Sequence, residues 1–72
     1  MNMNCLELSL LYWDNHRDFK ILYNNNHAIC IEKEYTIEGY LDLSLYGEKY
    51  LLKSFKGLLS LKAKRILKQY LK

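Results

Sequence analysis

The chain has no proline and no valine, only three glycines and only two cysteines. Cys5 and Cys30 can close one bridge at most, which excludes a disulfide framework and makes a reducing compartment the expectation. The glycines, Gly39, Gly47 and Gly57, stand too far apart to build a phosphate-cradling loop. No run approaches the roughly 18 apolar residues that a membrane span needs. The apolar start, Met1 to Trp13, has no basic leader and is interrupted by Glu7, so it does not read as a signal peptide. No Asn-x-Ser/Thr acceptor is present. The expectation is a cytoplasmic protein with no membrane partner, its whole chain mature.

What is present is a single-domain quantity of sequence, 72 residues of which 50% are hydrophobic. That is too apolar for a disordered chain and too short for two domains, so 1–72 reads as one domain. A core this small leaves a margin of a few kcal/mol. Association with a larger partner or with a second copy is the expected source of further stability, so a homodimer paired through a sheet edge is one expectation. Charge is split along the chain. Residues 1–52 hold all eight acids and four of the eleven cations, Arg17, Lys20, Lys33 and Lys49. Residues 53–72 hold the other seven cations and no acid. The modest net charge of +3 therefore hides an acidic body and a basic tail.

Periodicity gives the elements. In residues 5–13, Leu6, Leu8, Leu10 and Tyr12 alternate with Glu7 and Ser9, which predicts a half-buried strand. Asp14 to Asp18 is a polar turn. Phe19 to Tyr23 predicts a second strand, with Phe19, Ile21 and Tyr23 on one side, and His27 to Lys33 a third. Asn24 to Asn26 between them is a hairpin loop, because asparagine tolerates positive φ and caps its own backbone. Gly39 marks a bend or bulge. Tyr40 to Tyr46 is the most regular alternation: Leu41, Leu43 and Leu45 inward, Tyr40, Asp42, Ser44 and Tyr46 outward. Gly47-Glu48 is a two-residue turn into a fifth strand, Lys49 to Phe55. At the end, Leu59, Ala63, Ile66, Leu67, Tyr70 and Leu71 make a helical stripe, with Ser60 as N-cap and Lys64, Arg65, Lys68 and Lys72 on the opposite face. Running the same stripe back through Leu52 and Phe55 gives an alternative, one long helix from about Glu48 weakened at Gly57. The fold class is thus α+β: a small, mainly antiparallel sheet of four to five strands, with a C-terminal amphipathic basic helix packed on one face. Residues 1–55 form the β-rich acidic part and 58–71 the helix.

No constellation supports an enzyme. Cys5, His16, His27 and Cys30 are the soft metal ligands, but they lack the Cys-x-x-Cys spacing that specifies zinc. A Cys–His nucleophile would need an oxyanion hole and a substrate pocket in a chain with little room for either. His16-Arg17-Asp18 repeats a kinase triplet without any other kinase part. Glu32, Glu34, Glu38 and Asp42 read as a solvated strand end that protects a sheet edge. No catalytic residue, metal or other cofactor is assigned.

Two binding surfaces remain. Tyr40, Asp42 and Tyr46, with Glu32, Glu34 and Glu38, form an outward face of tyrosines and acids suited to a basic groove on a protein partner. Lys62, Lys64, Arg65, Lys68 and Lys72 on the helix are suited to phosphates. The abundance of Leu, Lys, Ile, Asn and Tyr, encoded largely by A/T-rich codons, suggests a low-GC genome. In size and composition the chain resembles the accessory proteins of phages and mobile elements, a class that includes anti-CRISPR and other anti-defence inhibitors. That resemblance implies a non-catalytic inhibitor that occludes a surface of a larger host protein or ribonucleoprotein. The alternative is a module that binds RNA or DNA through the basic C-terminal helix.

Overall fold

A computed structural model describes residues 3–25, 27–55 and 59–71. It is α+β: α1 (Cys5–Asn15), β1 (Phe19–Asn24), β2 (His27–Glu32), β3 (Leu41–Asp42), a 3-10 turn (Leu43–Leu45), α2 (Glu48–Ser54) and α3 (Leu61–Tyr70). Among the described residues the sheet has three strands in the order β2-β1-β3, with both neighbouring pairs antiparallel. The expected count of four to five strands is corrected to three, and the expected β-rich part contains two helices.

The hairpin forms where the pattern places it. β1 pairs with β2 from Phe19↔Glu32 to Asn24↔His27; of the expected loop, Asn24 ends β1 and Asn26 lies outside the described residues. Asn25 takes φ 44°, the left-handed conformation that asparagine accepts with little cost. Gly39 is a bend at φ 82°, between β2 and β3, where a side chain would strain the backbone.

Residues 5–13 are helix, not strand. Asn4 caps α1, its side chain accepting the Glu7 N–H at 2.8 Å. Nothing within α1 is β-branched, and leucine is a good helix former. The helix buries Leu6, Leu10 and Trp13 and turns Leu8 and Tyr12 outward, at 54% and 46% exposure. The alternating set splits because helical neighbours recur at three and four residues, not two.

The regular alternation of residues 40–46 is likewise broken. Only Leu41 and Asp42 pair with β1. Asp42 then accepts the Ser44 N–H at 2.9 Å, a side-chain turn that bends the chain off the ladder into the 3-10 turn. Leu43 is fully buried, whereas Leu41 and Leu45 are exposed. The expected fifth strand, Lys49 to Phe55, is corrected to α2, capped at Gly47. The long-helix alternative holds for its first turns only: Phe55 is extended at ψ 130°, and Gly57 lies outside the described residues.

α3 follows the sequence stripe closely. The Ser60 Oγ accepts the Ala63 N–H at 3.1 Å. Leu59, Ala63, Ile66 and Leu67 are buried in one apolar cluster with Leu6, Leu10, Ile21, Tyr23 and Leu43. Glu7 adds a long-range link. Its buried carboxylate accepts the Ser60 N–H at 2.8 Å, where the positive end of the α3 dipole favours an anion. No described helix is long and apolar enough to cross a membrane.

Candidate binding surfaces

The tyrosine and acid residues do not share a strand face. Glu32 ends β2, and Glu34 and Glu38 lie in the exposed loop that joins it to β3. Tyr40 is half-buried, its ring set edge-on to His27 with centroids 6.3 Å apart. Tyr46 lies elsewhere, stacked on Tyr50 and edge-on to the buried Tyr23 at 4.7 Å. Asp42 is half-buried and carries structural bonds, accepting both the Ser44 N–H and, at 3.1 Å, the Tyr70 hydroxyl. That loop does present large apolar side chains among its glutamates: Tyr35 and Ile37, with Leu41 beyond them, are 60%, 41% and 55% exposed.

Tyr70 ties the end of α3 to the sheet. Where β3 stops, its hydroxyl accepts the Ile21 N–H at 2.8 Å, taking the place of the strand residue that would have paired there. Burial pushes the phenol well above its ordinary range; the Ile21 bond works the other way, and the nearby Asp42 charge adds to the rise. Tyr70 therefore stays a neutral donor. Burial also raises the Cys30 thiol from 9.0 to about 11, which keeps it protonated and poorly nucleophilic. The Cys5 Sγ accepts the Ala28 N–H at 3.4 Å. Among the described residues no group of three His, Cys, Asp or Glu side chains is placed to hold a metal.

The described cations of α3 line two cavities. With its apolar stripe seated, α3 exposes Lys62, Arg65 and Lys68 and leaves Lys64 half-buried; Lys72 lies outside the described residues. None of these four described cations forms an ion pair with a described acid. A shallow cavity of about 370 Å³ lies among Leu61, Lys64, Arg65 and Lys68. A second, of about 220 Å³, lies among Lys62, Arg65, Gln69 and Asp14 of α1. Arg17 joins α1 to α3: its guanidinium pairs with Asp14, donates to the Gln69 Oε1 at 2.7 Å and stacks 4.1 Å above the Trp13 ring. Arg17 also lines a third cavity with Lys20 and Lys33, cations that the split of charge along the chain had placed with the acidic body. Only the sequence spacing of Lys20 and Lys33 on paired strands could have signalled this. No family model, no curated protein and no solved structure matches the chain.

Proposed function

We propose that the protein is a non-catalytic binding protein that engages nucleic acid through the outer face of α3, with Lys62, Arg65 and Lys68 on phosphates and Lys64 at the flank. The observation that carries this is electrostatic: the helix is firmly seated by its stripe, yet its described cations have no acid partner. Cations left unneutralised are available to displace counterions from a phosphate backbone. Exposed Leu61, at 76%, lies beside them in the larger α3 cavity and offers an apolar contact for a base or sugar. The test is fluorescence anisotropy of single-stranded RNA, single-stranded DNA and duplex DNA at several salt concentrations. Affinity is expected to fall steeply with salt. In the triple variant Lys62→Gln, Arg65→Gln, Lys68→Gln the log–log slope should drop by about two to three units. An unchanged slope removes α3 as the contact surface.

A second reading is an inhibitor that covers a surface of a larger host protein or ribonucleoprotein. It is favoured by the exposure of Tyr35, Ile37 and Leu41 around Glu34 and Glu38. Reversing Asp42 would disturb the Tyr70 and Ser44 bonds, so the discriminating variant is Glu34→Lys, Glu38→Lys. Loss of a protein partner in that variant, with nucleic-acid affinity intact, favours the inhibitor.

A further inference from the structure

The surface holds one cavity of a different character from the α3 grooves. It has a volume of about 390 Å³, within the usual range for small-ligand sites. Arg17, Lys20 and Lys33 line it, together with Asp42, Tyr70 and Trp13. These cations come from three separate places in the chain: the turn after α1, strand β1 and the residue following β2. The hairpin register explains the convergence. Lys20 pairs with Ile31 near the end of β2, and Lys33 follows in the turn after Glu32, so the hairpin brings both lysines to the same cavity. Neither lysine forms an ion pair with a described acid. Arg17 is held in advance by Asp14, Gln69 and Trp13. Its Nη2 makes both side-chain bonds, which leaves Nη1 without a partner among the described residues. Counting Asp14, which pairs with Arg17, three cations stand against two carboxylates, Asp14 and Asp42, and the cavity keeps a net positive charge. The Asp42 carboxylate is occupied on Oδ1 by Tyr70 and Ser44.

We propose that this cavity binds a phosphomonoester, the terminal phosphate of a nucleotide or of a nucleic-acid 5′ end. A phosphate dianion has three terminal oxygens to match three cations, whereas a carboxylate has two. The cavity exceeds a bare phosphate in size, and Oδ2 of Asp42 is a ready acceptor for a hydroxyl or amine on the attached group. The site goes beyond the α3 reading and does not depend on it. A free nucleotide would fill it with the α3 cations removed.

Trp13 is the only tryptophan and lines the cavity, so its fluorescence reports occupancy directly. Titration with AMP is expected to change the signal saturably, and titration with adenosine to leave it unchanged. Lys20→Gln with Lys33→Gln should weaken AMP binding by about tenfold or more, and the α3 triple variant should bind AMP as the wild type does. Lys33→Gln alone, at an exposed turn, provides a variant with little risk to folding. The two sources are separated by an oligothymidylate with and without a 5′-phosphate. A preference for the phosphorylated strand over AMP assigns the site to strand ends, and tighter AMP binding assigns it to free nucleotides. Equal response to AMP and adenosine, or an unaltered AMP affinity in the folded lysine variants, overturns the proposal. Loss of nucleic-acid binding in the α3 variant with AMP binding retained leaves this site standing, and the reverse result leaves only the α3 reading.

Discussion

The segment that becomes α1 and the segment that becomes β1 both alternate apolar side chains, and they fold differently. In α1 the alternating residues are Leu6, Leu8, Leu10 and Tyr12; in β1 they are Phe19, Ile21 and Tyr23. α1 contains no β-branched residue and opens with Asn4 three positions before Glu7, a cap that secures its first turn. The β1–β2 pair carries Ile21, Ile29 and Ile31, and Asn25 takes the left-handed conformation at its turn. Alternation of leucine alone is therefore a weak strand signal. The identity of the apolar residue and the chemistry of the flanking turn decide the outcome.

The largest effect that can break this comparison lies within α1. Leu10→Ala should destabilise the fold by about 2–5 kcal/mol, because Leu10 is fully buried. Leu8→Ala should change stability by no more than about 0.5 kcal/mol, since that side chain points outward. Equal losses in urea unfolding would restore the strand reading, in which both residues share a face.

Next come the bonds that fix the ends of α1 and α3. Glu7→Ala removes the acceptor for the Ser60 N–H and should cost about 1–2 kcal/mol. Asn4→Ala should cost about 1 kcal/mol through loss of the α1 cap. Ser60→Ala keeps the backbone N–H that Glu7 accepts and removes the hydroxyl cap on Ala63, so its double-mutant cycle with Glu7→Ala measures the coupling between the α3 cap and the Glu7 carboxylate.

On the strand side, Tyr70→Phe leaves the Ile21 N–H and Asp42 without their hydroxyl partner and should cost about 1 kcal/mol. Amide exchange of Ile21 should accelerate with it; unchanged protection would show that water replaces the hydroxyl at no cost.

A further effect is alkaline. Cys30 holds its proton in the folded chain up to about pH 11 but releases it near 9.0 when unfolded. Unfolding then releases a proton, so the contribution is intact below pH 9 and is lost as pH rises towards 11. Tyr70 acts in the same direction at higher pH. Thermal scans should show the midpoint falling across this window, with a shallower fall in Cys30→Ala.

Much of the fold is legible locally. The Ser60 cap and the Leu59, Ala63, Ile66, Leu67 stripe specify α3, and the asparagines specify the hairpin, because each is a signal spanning only a few residues. Composition alone also places the uncompensated positive charge at the C-terminal end. Tertiary structure decided the rest. Asp42 reads as a surface acid until the Tyr70 hydroxyl reaches it, and Glu7 reads as a polar strand residue until Ser60 donates to it. Arg17, Lys20 and Lys33 read as minor charges in an acidic body until the hairpin register and the docking of α3 line them along one cavity. Periodicity, caps and turns act between near neighbours in sequence. Convergence of charge depends on which distant segments pack together, and only the buried core settles that.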